Sequence, residues 1–199
     1  MIILDIESSG TNPWKHSILS IGAIDFLKPE NTFYRECKIW PEANVDKEAL
    51  EVNGFTLEDI NREDKKTEGE IVKEFFSWIM ETENHTIAGH NPFFDLFFVQ
   101  AAADRANLNF PLAHRVIDLH SICYFHMLKR GIKPPIKNQR TDLNSDTVME
   151  YVGISIEPKP HNALNGAKWE TEAFHRLFYD RFILPDFKES KVPWKASQE

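Results

Sequence analysis

The spacing of apolar and polar residues changes several times along the chain, and each change marks an element. Ile2 to Ile6 is a short apolar run that stops at Glu7-Ser8-Ser9-Gly10, which predicts a buried strand ending in a turn. Ile18 to Phe26 is again rich in isoleucine. From Phe33 to Trp40 the period is two, with Phe33, Cys37 and Ile39 opposite Tyr34, Glu36 and Lys38. Lys28-Pro29-Glu30-Asn31 supplies a turn between the second and third runs. Three consecutive strands in an antiparallel meander are therefore expected at the start.

After Pro41 the pattern becomes helical. Ile71, Val72, Phe75, Phe76, Ile79 and Met80 fall on one face only at a helical period. Thr86 to Gly89 reads as a buried strand, and Asn91-Pro92 as an N-cap and first helical position, opening a helix to about Asn107. Arg115 to Leu119 is a further short strand. Lys133 to Arg140 contains two prolines and several bases and is expected to be an exposed loop; Asp142–Tyr151 and Ala163–Tyr179 read as helices. Strands followed by alternating helix and strand predict an α/β mixed sheet flanked by helices, over residues 1–180, with 181–199 as a C-terminal tail.

Composition narrows the function classes. The 199 residues are 42% hydrophobic with 15 Phe and 5 Trp, enough for one sizeable core. Asp plus Glu outnumber Lys plus Arg by 31 to 23, a formal charge of −8, which excludes a histone-like or polybasic role. A nuclease is not excluded, because carboxylates that hold divalent cations count as negative until the metal binds. Cys37 and Cys123 stand far apart, so neither a disulfide framework nor a zinc cluster is supported, and a reducing, cytoplasmic setting is expected. The chain reads as having no signal peptide and no membrane span.

Three places carry candidate chemistry. Asp5 and Glu7 lie two apart on the first strand, so both carboxylates emerge from one face near its C-terminal end. Like charges this close are costly without a cation, and hard oxygen ligands suit Mg²⁺ or Mn²⁺; the bland alternative is a solvated strand end. Asp95 falls in the first turn of the Asn91-Pro92 helix amid phenylalanines, a place that suits either a helix-start residue or a functional acid. His161 precedes the last helix behind Pro158-Lys159-Pro160 and is expected to be exposed and mobile. Imidazoles exchange protons near neutral pH, so it is a candidate general base for an attacking water, or simply a surface or capping residue.

Taken in order, Asp5-x-Glu7-Ser8-Ser9-Gly10, His90-Asn91-x-x-Phe94-Asp95, Asp118 in Ile117-Asp118-Leu119, and His161-x-Ala163-Leu164 resemble the DEDDh 3′-5′ exonucleases, whose fold is ribonuclease H-like with a five-stranded mixed sheet. Val52-Asn53-Gly54-Phe55-Thr56 resembles a further short element of that family, and the likeness spans positions 2 to about 178. The resemblance implies a two-metal mechanism with two Mg²⁺ or Mn²⁺ ions, Asp5, Glu7 and Asp95 as ligands and His161 as general base. It also implies nucleoside 5′-monophosphates as products from single-stranded DNA or RNA 3′ ends, with no membrane partner and with a homodimer or larger nucleic-acid-processing complex as the assembly. Ser8, Ser9, Gly10 and Thr11 would lie along the last nucleotide, with Asn53 and Phe55 as wedge or stacking residues and His90, Asn91 and Phe94 nearby. Phe55 is equally well read as core.

One position departs from the family. Relatives carry a fourth metal-binding aspartate five residues after the histidine, in His-x-Ala-Leu-x-Asp-Ala; here that place is Gly166, with Ala163, Leu164 and Ala167 fixing the register on both sides. Asn165 is about 100° away around the helix, whereas Glu170 lies one turn on from Gly166 on the same face, with a longer side chain. The departure implies either an enzyme, in a variant form with weakened metal occupancy and slower turnover or a natural one that has moved its ligand, or a nucleic-acid-end-binding module that holds its ligand without cutting. A scaffold or oligomerisation domain is the third reading. The bases Lys129, Arg130, Lys133, Lys137 and Arg140 suit either a solvated loop or contact with a phosphate backbone.

Overall fold

In a computed structural model, which describes residues 1–195, the meander is present. β1 (Ile2–Ser8), β2 (Ile18–Asp25) and β3 (Thr32–Glu36) pair antiparallel, and β4 (Ile87–Gly89) and β5 (Val116–Asp118) add in parallel on the other side of β1. The five-stranded order is β3-β2-β1-β4-β5. β2 is buried along its whole length, as its isoleucines require. β3 ends at Glu36, four residues before the expected Trp40, because Cys37 turns inward and Lys38 bridges instead to Thr67.

Alternation along β1 decides what each face receives. Ile2, Leu4 and Ile6 pack into one core with α3 (Glu68–Met80) and α4 (Phe93–Arg105). Ile3 enters a second core formed with α5 (Leu119–Lys129), α6 (Ser145–Val152) and α7 (Ala163–Tyr179). Asp5 and Glu7 continue the Ile3 side, so they face α7. Two glycines let α7 press onto the sheet there. A Cβ on Gly22 of β2 would meet the Ala163 carbonyl carbon at 2.1 Å, and one on Gly166 would meet Asp5 Oδ2 at 2.1 Å.

Several elements differ from the sequence expectation. The Asn91-Pro92 helix begins one residue later, with Pro92 at the cap; Asn91 takes φ 54° and makes no capping bond, so the helix starts by chain geometry rather than by a side-chain acceptor. Lys133 to Arg140 is not wholly a loop. Ile136–Lys137 (β6) and Arg140–Thr141 (β7) form a hairpin whose turn, Asn138-Gln139, has positive φ at both positions, the twist that suits a two-residue connection. α1 (Lys47–Asn53), α2 (Leu57–Ile60) and α5 were not anticipated. Cys37 and Cys123 are free and buried, and among the described residues no helix is long and apolar enough to cross a membrane.

The segment expected as a tail is packed onto the domain as far as Lys195, while 196–199 lie outside the described residues. Leu184, Phe187, Val192 and Trp194 join the second core. Fully buried Arg176 organises this segment: its Nε donates to Glu172 at 2.6 Å, and its terminal nitrogens donate to the carbonyls of Val152, Phe187 and Ser190. Glu172 in turn accepts from the backbone N–H groups of Ile183 and Leu184, both at 3.0 Å. Removing one partner of such a pair strands a buried charge, so Arg176→Ala should cost about 3–5 kcal/mol in urea unfolding. A loss below about 1 kcal/mol would show that the network does not fasten the segment.

Candidate active site

The parallel strand β4 accompanies β1 only as far as Ile3, then ends at Gly89. Beyond that point the outer edge of β1 has no strand to pair with, and the Ile6 N–H donates to Asp95 Oδ1 at 3.0 Å. The first turn of α4 is thereby bolted to β1 between Asp5 and Glu7. On the inner edge the register slips between Glu7 and Ser8, an irregularity placed directly after the second carboxylate, and the strand ends at Ser8. The result is a crevice at the carboxyl ends of β1 and β4, where the sheet changes from antiparallel to parallel pairing, the usual ligand position in open α/β sheets.

Asp5, Glu7, His161, Gly166 and Glu170 line a cavity of about 210 Å³, together with Ile6, His90, Ser145, Asp146 and Glu157. A larger hollow of about 600 Å³ lies elsewhere, between Trp40 and Arg105, but its acids Glu68 and Glu63 are already paired, with Arg105 at 2.8 Å and Lys38 at 2.6 Å. Charge, not size, distinguishes the smaller one. Glu7, Asp95 and Glu170 are buried, and Asp5 keeps only partial access through the cavity. Burial pushes the Glu7 and Asp95 carboxyls up to about 8. Asp5 is raised well above the ordinary carboxylate range by burial first, then by the neighbouring Asp95, Glu170 and Glu7. Glu170 is likewise raised by burial and then by Asp95, opposed by the His90 backbone N–H.

A cluster like this holds protons or needs cations, and its oxygen donors are of the kind that bind Mg²⁺ or Mn²⁺. Among the described residues, no three His, Cys, Asp or Glu side chains already converge as a cage. Asp5, Glu7, Asp146, Glu157 and Glu170 line the cavity rather than meeting at one point, and Asp95, bonded to the Ile6 N–H, is not part of the lining. The orphaned Glu170 Oε2, buried and without a hydrogen-bond partner, fits a cation-binding role for the wall it belongs to.

His161 is held more firmly than expected. Its N–H donates to the Val52 carbonyl at 3.0 Å, and the next residue, Asn162, caps α7 while its backbone N–H donates to Glu157 and its amide to the Tyr34 hydroxyl. The imidazole is half-buried and opens onto the cavity. Glu157, four residues before it, is raised by burial and is among the charges acting on Glu7. No spacing rule pointed to Glu157, because the loop that brings it in has no period.

The other anticipated residues divide by what already occupies their polar atoms. Asn53 donates its amide to the Ser8 carbonyl and accepts from the Phe55 N–H, so it fastens α1 to the end of β1. Ser8 donates to the Gly10 carbonyl and Ser9 to that of Asn44, while Thr11 is exposed. His90 donates from Nε2 to the Leu143 carbonyl at 2.8 Å, and the Asn91 N–H donates to Asp118, which also caps α5. Phe94 stacks near Phe98 against the first core. Phe55 is half-exposed beneath the Lys65 ammonium, on the rim of a hollow it shares with His161.

Comparison with known proteins agrees with this arrangement. Over 120 residues the chain is 30% identical to ribonuclease T of Vibrio vulnificus (strain YJ016), covering 54% of this chain and 55% of that protein, so it spans about half the length of the curated relatives it matches. The nuclease domain of 3′hExo, a DEDDh family member solved bound to rAMP, superposes with a TM-score of 0.69 at 17% identity over 92% of this chain and 95% of that one. A zinc-bound complex of Escherichia coli exonuclease I with single-stranded DNA gives 0.68 at 16% identity, over 90% of this chain and 41% of the other. These likenesses show the ribonuclease H-like fold. Residues 1–178 match the model of the Rv2179c-like 3′-5′ exoribonuclease domain. The chain belongs to that family of DEDDh-type 3′-5′ exonuclease domains.

Proposed function

We propose that this chain hydrolyses single-stranded RNA or DNA from the 3′ end, releasing nucleoside 5′-monophosphates with the help of two divalent cations, Mg²⁺ or Mn²⁺. The observation that carries the proposal is the set of buried, uncompensated carboxylates around Asp5, with His161 opening on the same cavity. Bound there, divalent cations would neutralise the carboxylates and the scissile phosphate, raise the nucleophilicity of an attacking water and stabilise the leaving oxygen. Asp5, Glu7 and Asp95 are the residues to hold them.

The chain's own groups then have separate tasks. His161 accepts the proton of the attacking water as its oxygen bonds to phosphorus; the P–O3′ bond breaks with its electron pair on O3′ of the shortened strand, which takes up a proton from solvent, and the phosphate leaves as the 5′-phosphate of the released nucleotide. Asp95 also fixes geometry, because its bond to the Ile6 N–H sets the distance between α4 and β1. The segment Ser8 to Thr11 follows Glu7 directly with its serine hydroxyls already satisfied, leaving backbone and Thr11 to meet the terminal nucleotide. Phe55 offers a face for a terminal base, a contact of about 1–3 kcal/mol. The β6–β7 hairpin presents exposed Lys137 and Arg140 to the phosphate backbone, and the chain following it is tied to the site by His90.

The alternative, a module that holds a nucleic-acid end without cutting, rests on Gly166. The acids Asp5, Glu7, Asp146, Glu157 and Glu170 that line the cavity would repel a polyanion unless cations intervene, so the cluster favours the metal-dependent reading. Incubation of the chain with single-stranded oligonucleotides and Mn²⁺ should release 5′-mononucleotides, and EDTA should stop it. End-dependent binding with no product at any Mn²⁺ or Mg²⁺ concentration would establish the binding module instead.

A further inference from the structure

Glu170 is a buried acid of the cavity that the proposed ligand set does not use. It lies on the inward face of α7, one turn beyond Gly166, and is only 6% exposed. Its Oε2 has no hydrogen-bond partner. The strongest charges acting on it come from Asp95, Glu157 and Asp118, all acids, and it acts in turn on Asp5. The floor beneath it is bare, because Gly89 contributes no side chain; a Cβ there would come within 3.1 Å of Oε2.

An aspartate at position 166 would have to displace the Asp5 side chain from where it lies. A Cβ at Gly166 would lie 2.1 Å from Asp5 Oδ2 and 2.8 Å from its Cγ, so Asp5's own carboxylate occupies that space. Close approach of α7 to β1 and a carboxylate at 166 are therefore mutually exclusive unless Asp5 swings away. A glutamate one turn further along reaches the same cavity with one more methylene and one more rotatable bond.

Building on the metal-dependent reading, we propose that Glu170 replaces the missing fourth carboxylate and holds a divalent cation together with Asp5. The glycine at 166 then reflects a relocated ligand, not a disabled site, and the short step from helix to strand is retained because the longer side chain spans it.

Titration of the full chain with Mn²⁺ alone, followed by calorimetry, tests this without reference to activity. The wild type should bind two ions, and Glu170→Gln should lose one or bind it at least about tenfold more weakly. The metal-free melting temperature of that variant, at or above wild type, should show that its fold is kept. Unchanged stoichiometry and affinity in Glu170→Gln would overturn the relocation while leaving the metal-dependent reading intact; a wild type that binds no Mn²⁺ would overturn both. Crystals of the wild type soaked in Mn²⁺ give a check independent of any variant. An anomalous peak within about 2.5 Å of a Glu170 carboxylate oxygen is expected, and Mn²⁺ on Asp5 with Glu170 out of contact would contradict the proposal.

Discussion

Asp5→Asn should separate activity from stability, moving them in opposite directions. Asp5 sits at the centre of the acid cluster, acted on by Asp95, Glu170 and Glu7. Replacing it removes the carboxylate shared by every proposed cation contact, and nucleotide release should fall by at least about 10³-fold, the scale on which preorganised charge stabilisation contributes. In metal-free solution the same substitution relieves burial of like charges. Thermal unfolding should then occur at least about 2–4 °C higher, corresponding to roughly 1 kcal/mol for a chain of this size. A variant both inactive and destabilised would mean that Asp5 is a structural acid whose loss disturbs the sheet. A variant that remains active would remove the carboxylate cluster from the chemistry.

The second large effect is on pH. Glu7 and Asp95 have folded-state values pushed up to about 8, against ordinary carboxylate values near 4, and Asp5 and Glu170 are displaced in the same direction. A raised value means that the folded chain holds protons the unfolded chain has released. The associated stability is complete below about pH 4 and is lost as pH rises through about 8. Metal-free protein should therefore melt at a lower temperature at pH 8.5 than at pH 5.5, by at least about 5 °C, since one pH unit on one group is worth about 1.4 kcal/mol. Carboxylates that are lowered instead, such as Asp59, Glu70 and Glu74, titrate below this window, whereas His126, His175 and the Met1 amino group, lowered by burial, oppose the trend within it and are outnumbered by the four raised carboxylates. Added Mn²⁺ should restore the melting temperature at pH 8.5 and do little at pH 5.5, where protons compete for the same oxygens. A metal-free melting temperature that is flat or rises across this range would show that the cluster carries no uncompensated charge.

Much of the site was legible because strand and helix periods assign faces. Two residues of separation on β1 place Asp5 and Glu7 together, and four residues on α7 place Glu170 behind Gly166. What the periods could not supply was the reason for the glycine. Gly166 reads as a missing ligand in one dimension; in three it is the point where α7 touches Asp5, paired with Gly22 on the next strand. α5 escaped notice because its apolar residues are distributed around the helix, with Tyr124, Phe125 and Leu128 exposed, so no single face announces it. Its start was marked all the same, by Asp118 accepting from His120 and Ser121. The tail reading failed at Arg176, whose hydrogen bonds run to carbonyls that no side-chain pattern encodes. Asn53 reads as a substrate residue from its neighbourhood; its amide is engaged by the Ser8 carbonyl and the Phe55 N–H, contacts made where α1 ends against the end of β1 and invisible to any periodic pattern.

The most direct test is digestion of a single-stranded oligonucleotide labelled at its 5′ end, in Mn²⁺, by the wild type and by Asp5→Asn. A centre of this kind at the end of β1 should yield a ladder of labelled fragments shortening one nucleotide at a time from the 3′ end, and the variant should leave the strand intact. Immediate release of the labelled terminal nucleotide, internal cleavage, or equal digestion by both proteins would contradict it.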